Sequence, residues 1–380
     1  MKKRRPRTYS AFQLGLMEES KKSFDMPLLL ITIMLLVIGL IAVLSSSYPK
    51  GYYSSSDKIG PFYYFVRQFG MAIVGVVLMA GISCYDYKKY YKWARTLYFI
   101  SFVLLILVLT PLGTSLNQAQ RWLFGFQPSE IAKLAIILLF AAQASAKPGS
   151  VRTFKGLAIY AGLLVAYIGL LALEPHMSAV MILAVIGFVI LFVAGMNIWF
   201  LIPVTVAGGV LMIASYFLFE HVHSRFNAFL HPFENGAWQA CQSLIAIGSG
   251  GTFGLGLGQS RQKFLYLPEP MNDFIFAIVC EELGFIGAVL ILIMFAYFVY
   301  RGFSIARRAS DRFGCLLATG ITMQFAFQIL LNLAVVSGLF PVTGASLPLF
   351  SYGGTALVMQ LVEIGILLNI SRNIPPSKKQ

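Results

Sequence analysis

Four ionisable side chains fall within thirteen residues of each other at Arg261, Lys263, Glu269 and Asp273, and an apolar run begins at Phe274. That spacing puts two cations and two carboxylates at the mouth of a membrane helix. Cations there suit a phosphate or pyrophosphate headgroup. A carboxylate partly shielded from water has a raised pKa and can act as a general base. The plainer reading of Asp273 is that it, or Asn272, caps the helix that follows. Charge near hydrocarbon is costly, so each such residue is a functional candidate. The other acids of this kind are Glu130, Glu174, Glu281, Glu282 and Glu363; the cations are Arg121, Arg225 and Lys133. Most fall in 117–133 and 220–282, which points to one outward-facing site.

Several motifs surround this set. Residues 248–260 hold six glycines in thirteen positions. The spacing is not that of a dinucleotide fingerprint, and a re-entrant or surface loop is expected. Gln127-Pro-Ser-Glu130 opens a helix with proline in its first turn, with Ser129 or Glu130 as a candidate cap. Lys133 lies one turn beyond Glu130, as an ion pair or as part of a polar substrate path. Glu281 and Glu282 read as partners of polar groups inside the bundle. His221, His223 and His231 lack a carboxylate or cysteine at matching spacing, so no metal site is read there. Trp122 and Trp238 fit an interfacial aromatic belt.

The elements that must position these groups are membrane spans. Of the 380 residues 58% are hydrophobic and 12% charged, and mean hydropathy is +0.77. A soluble chain carries about twice that charge. A soluble enzyme, a disordered chain and a nucleic-acid-binding domain are excluded. The expected fold is all-α and polytopic, with ten spans near 26–47, 66–83, 97–113, 128–146, 156–173, 177–195, 199–219, 274–300, 314–336 and 351–370. One large external loop, 220–273, joins spans seven and eight. Residues 1–25 form a basic tail, 26–370 one transmembrane domain, and 371–380 a second tail. With the N-terminus inside, 21 of the 29 Lys and Arg residues lie on the inner side, so both termini are expected in the cytoplasm. The net charge of +14 therefore marks topology and not nucleic acid. Four scattered cysteines give no disulfide framework.

The run Gly256-Leu-Gly-Gln-Ser-Arg-Gln-Lys-Phe-Leu-Tyr-Leu-Pro-Glu269, with Asn272-Asp-Phe-Ile-Phe-Ala277 and Glu281-Glu-Leu-Gly-Phe-Ile-Gly287, closely resembles the SEDS family (shape, elongation, division and sporulation). Arg121-Trp122, Gln127-Pro-Ser-Glu-Ile-Ala-Lys133, Gln242–Gly251, Pro341-Val-Thr-Gly344 and Leu347–Gly354 support the likeness, which covers nearly the whole chain after residue 26. It implies a plasma-membrane peptidoglycan glycosyltransferase that polymerises lipid II into β-1,4 glycan at the outer face, beside a class B penicillin-binding transpeptidase. Asp273 matches the family's essential aspartate and Glu269 its loop acid; Arg121 and Lys133 match positions facing a central cavity. The implied mechanism has Asp273 as base. Arg121, Arg225, Arg261 and Lys263 then face the pyrophosphate, with Mg²⁺ or Mn²⁺ held through substrate phosphates, and Trp122 and Glu269 help hold substrate. A lipid II flippase and a non-catalytic scaffold for the transpeptidase stay open.

Two positions depart from the pattern. Glu174-Pro-His-Met-Ser-Ala179 stands where Gln-Pro-Asp-Leu-Gly-Thr is common, and Asn117-Gln-Ala-Gln120 where Asn-Gly-Ala-Arg is. The first resembles a division-type member from a Gram-positive lineage.

Overall fold

The computed structural model describes residues 24–53, 60–116, 119–174, 176–200, 209, 216–217, 220–234 and 237–374. Apolar runs of span length form helices because lipid leaves no other partner for backbone amides and carbonyls. They are α1 (Met26–Tyr52), α2 (Tyr63–Cys84), α3 (Tyr90–Val108), α4 (Pro128–Ala146), α5 (Phe154–Leu173) and α6 (Met177–Val193). After them come two helices of the long connection, α7 (Glu220–Leu230) and α8 (Trp238–Ser249), and then α9 (Ile275–Arg308), α10 (Arg312–Val336) and α11 (Gly354–Arg372). Eight of these are long and apolar enough to cross a membrane, and α6 is a shorter apolar helix. The span expected at 199–219 lies largely outside the described residues.

Local chemistry sets several ends. Asp25 accepts from the Leu28 amide at 3.0 Å and starts α1; Asp311 does the same for α10 through Gly314 at 2.6 Å. Pro128 opens α4, as expected, but the N-cap is Gln127 and no side chain caps it. The third span begins earlier than 97 and stops at 108, because Pro111 and a β-hairpin follow. That hairpin, β1 (Gly113–Leu116) against β2 (Ala119–Leu123), is antiparallel with Thr114 opposite Trp122. It was not expected, since five polar or small residues in a row give no strand pattern.

Burial sorts the spans by layer. The apolar windows of α4 and α10 are 78% and 72% buried, against 17% for α5, so the first two form the centre with α11 and α5 faces lipid. At one end of the bundle, Asp25 pairs with Arg301 and Arg308 and Tyr87 donates to Asp311. The hairpin, the α5–α6 turn and the segments 250–274 and 337–353 gather at the other.

The connection from 238 to 273 is built into the bundle instead of forming an open loop. α9 runs to Arg308, eight residues past the expected end, and is broken at Gly284 (φ 67°, ψ −169°). The glycine-rich segment fills the break. The amides of Leu255 and Gly256 donate to the carbonyls of Glu281 and Glu282, each at 3.0 Å. The Phe285 and Ile286 amides donate to Gly251 and Thr252. A Cβ on Gly254 would lie 2.2 Å from the Glu282 carbonyl oxygen, so only glycine admits this approach.

Candidate active site

Asp273 stands just before α9. The N-cap is Phe274, and no side chain caps the helix, so the capping explanation for Asp273 and Asn272 fails. Asn272 instead donates to Glu269 Oε2 at 2.6 Å. The Asp273 main chain is held from α10, where Asn332 Nδ2 donates to its carbonyl and to that of Ala345, both at 2.7 Å. Ser351 Oγ donates to the Asn272 carbonyl at 2.7 Å, and the Tyr352 amide to Met271 at 2.8 Å. The backbone is therefore fixed while the carboxylate receives no hydrogen bond among the described residues.

Arg121 arrives from β2. Its Nε donates to the Glu174 carbonyl at 3.3 Å. The positions of Asp273 and Arg121 meet at Gly344 (φ +76°). A Cβ there would lie 3.5 Å from Asp273 Oδ2 and 4.0 Å from Arg121 Nη1, so glycine leaves this gap open. Ser178 Oγ donates to the Gly344 carbonyl at 3.4 Å. Burial, reinforced by the Glu269 charge, pushes Asp273 up to about 6 against the opposing pull of Arg121 and Arg225. Burial also lowers the Arg121 pKa, with Arg225 adding and Asp273 and Glu174 opposing. A guanidinium nevertheless stays charged at neutral pH.

The expected residues divide. Asp273, Glu269, Arg121 and Arg225 form one electrostatic group, with Arg225 exposed on α7. Glu269 also lies 3.7 Å from Lys50. Trp122 is half-buried in the hairpin beside Arg121. Lys133 forms a buried ion pair with Glu130 at 2.8 Å, which is the simpler of its two readings, yet it acts electrostatically on His176 at the site's edge. Lys263 is a correction. It is buried and bound to Glu282 at 2.8 Å and Ser45 Oγ at 3.0 Å, so it serves the bundle and is no free cation for a phosphate. Arg261 has an exposed side chain, while its amide binds Glu281 at 2.9 Å.

Sequence reasoning missed Gly344, Asn332 and Ser178 as parts of the site. Gly344 lay within a quoted motif, and its role needed the fold. Among the described residues, no group of three or more His, Cys, Asp or Glu could hold a metal ion. A lateral groove of about 430 Å³ opens between α2 and α3 onto α4 and α11. Its walls are apolar, with Ile82, Trp93, Leu97, Leu134, Met359 and Val362 among them.

A multi-pass helical bundle with a polar, partly enclosed site at a helix mouth defines the class: an integral membrane protein. Residues 26–375 match the model of the FtsW, RodA and SpoVE family, described as "Cell cycle protein", and the chain belongs to that family. It is 40% identical over 370 residues to stage V sporulation protein E of Bacillus subtilis, covering 94% of this chain and 99% of that one. It is 38% identical over 365 residues to a probable peptidoglycan glycosyltransferase FtsW of Trichlorobacter lovleyi, covering 92% and 94%. Among solved structures, it resembles a chain from a study of polymerization and crosslinking by a peptidoglycan synthase complex. That match has a TM-score of 0.76 and 25% identity, over 92% of this chain and 98% of that one. It also resembles Thermus thermophilus RodA, with a TM-score of 0.66 and 26% identity over 92% and 97%.

Proposed function

We propose that this protein is a peptidoglycan glycosyltransferase that polymerises lipid II at the outer face of the plasma membrane, with Asp273 as general base. The family and its named relatives support the activity. The observation that carries the catalytic role is the uncapped Asp273, fixed by its backbone, raised to about 6 and set against Arg121 across Gly344.

In this reaction the acceptor sugar's 4-hydroxyl gives its proton to the Asp273 carboxylate. The freed oxygen attacks the anomeric carbon of the donor. The carbon–oxygen bond to the pyrophosphate breaks, and undecaprenyl pyrophosphate leaves with the electron pair. Inversion gives the β-1,4 link. Arg121 and Arg225 offset the departing charge, and Arg261 guides the headgroup from the loop. Trp122 and Glu269 bound the sugar site. Lys133 steadies the buried wall behind it. The groove between α2 and α3 suits a prenyl chain, because its walls are almost wholly apolar. Among the described residues, Asp273 and Glu269 have no third His, Cys, Asp or Glu beside them, so a divalent ion at this site would be held through the substrate's phosphates. A class B penicillin-binding protein crosslinks the product, both termini face the cytoplasm, and the setting is growth, division or sporulation of the wall.

Purified protein tests this directly. It is expected to make glycan strands from lipid II in detergent, and Asp273→Ala to make none. Polymer from Asp273→Ala at the wild-type rate would remove the base. Absence of polymer from wild type, with transport into vesicles, would favour a flippase; dispensable loop charges would favour a scaffold. Labelling of residues 250–273 from the cytosolic side of intact cells would overturn the orientation.

A further inference from the structure

The short connection between α5 and α6 carries two polar groups that the mechanism above leaves unused. Glu174 and His176 are 2% and 7% exposed. Among the described residues, Glu174 Oε1 and His176 Nδ1 have no hydrogen-bond partner. Burying polar atoms without partners is costly, and native structures hold few of them. Arg121 bonds the Glu174 carbonyl and acts on its carboxyl group, and Arg121 and Lys133 both act on the His176 ring. Arg121 in turn meets Asp273 at Gly344, where Arg225 and Glu269 complete the charged surroundings. The two orphaned atoms thus border the proposed reacting centre. They also stand where the chain departs from the common Gln-Pro-Asp pattern.

Their charge state indicates what they would bind. Burial pushes Glu174 up to about 8, against the pull of Arg121. Burial holds His176 well below its ordinary value, and Arg121 and Lys133 act in the same direction. Burial thus favours the uncharged form of both. A neutral carboxylic acid and a neutral imidazole each offer one donor and one acceptor. That suits hydroxyl and acetamido groups and does nothing for a pyrophosphate, which the arginines already serve.

We propose that Glu174 and His176 form a hydrogen-bonding subsite for the N-acetyl sugar of the lipid-linked substrate, orienting it beside Asp273 while Arg121 takes the charge. This rests on the glycosyltransferase reading for its ligand, but the orphaned atoms define it independently of which residue is the base. A polar site that loses one of its partners discriminates strongly, because the other is left unpaired.

The test uses the full chain in detergent with lipid II as the probe. Equilibrium binding is measured in an Asp273→Asn background, so the substrate is not consumed, and steady-state polymerisation is measured with Asp273 intact. Glu174→Ala and His176→Ala are each expected to weaken binding about tenfold, the loss of one well-made hydrogen bond, and to raise KM more than they lower kcat. Glu174→Gln and His176→Asn, which keep a neutral donor and acceptor, recover most of that loss. Glu174→Leu and His176→Leu are expected to hold or raise the melting temperature, since they remove desolvated orphans; a merely structural role predicts a lower one. Unchanged affinity in the alanine variants would overturn the subsite, and so would a Glu174→Gln variant as weak as Glu174→Ala. Normal polymerisation by Asp273→Asn would instead sink the base, and the subsite would then be read from KM in the variants with Asp273 intact, where an unchanged value would overturn it.

Discussion

The acids at the start of α9 are treated in opposite ways: Glu281 and Glu282 lie on the helix, and Asp273 just before it. Glu281 takes Ser260 Oγ at 2.5 Å and the amides of Arg261 and Gln262 at 2.9 and 3.3 Å. Glu282 takes Lys263 Nζ at 2.8 Å and Ser45 Oγ at 2.6 Å. These acids are buried and satisfied. Asp273, less than three turns nearer the end, has its backbone pinned and its carboxylate left without a hydrogen bond among the described residues. Acids around one helix start thus divide by their partners: the satisfied ones build, and the unsatisfied one is available to react. Burial alone does not separate them, because the satisfied pair is the more deeply buried.

The comparison can be broken most sharply at Asp273 itself. Asp273→Asn keeps the shape and removes the base, so the polymerisation rate is expected to fall by about 10²–10⁴-fold, with the melting temperature held. Loss of folding instead would place Asp273 with the structural acids. The opposite result is expected next door. Lys263→Ala leaves Glu282 buried and uncompensated and should cost about 3–5 kcal/mol of stability, read as a drop in melting temperature. If it abolishes catalysis in a protein as stable as wild type, the division between the two groups fails.

The pH dependence sharpens the same contrast. Asp273 must be ionised to accept a proton, so kcat/KM should fall as pH drops through about 6. Because Glu269 helps raise Asp273, Glu269→Gln should move that limb to lower pH, by less than one unit. A limb that stays in place would separate the two acids. Stability runs the other way. Asp273 and Glu174 have folded values raised above their unfolded ones. Their contribution is fully present below about pH 4 and is lost as pH rises through about 6 and about 8. Thermal unfolding from pH 5 to 9 should show this slope, flatter in Glu174→Gln.

The smallest effect is expected at Asn332. Asn332→Ala frees the Asp273 main chain without touching the carboxylate, and should lower kcat about tenfold, in line with the sensitivity of catalysis to small displacements. An unchanged kcat would show that Ser351 and Tyr352 hold the segment alone.

Much of this was legible in the sequence. The spans followed from apolar length, and Asp273, Glu269, Arg121 and Arg225 could be named from charge beside hydrocarbon. What was hidden has physical causes. Lys263 looked like Arg261 from its spacing, and only the fold of the segment turns it onto Glu282. The hairpin bearing Arg121 is four and five residues long, too short for a period-two pattern. Gly344 and Asn332 carry no charge to mark them, and their role depends on contacts 59 residues or more away in the chain.

The break at Gly284 lies about 14 Å along α9 from its start. There the carbonyls of Glu281 and Glu282 find amides only because the glycine segment has the right number of residues to reach them. Delete one glycine and the register slips, leaving main-chain oxygens facing oil with nothing to bind. Within the bilayer this stretch is constrained less by its side chains than by its count, as a zip is by its teeth.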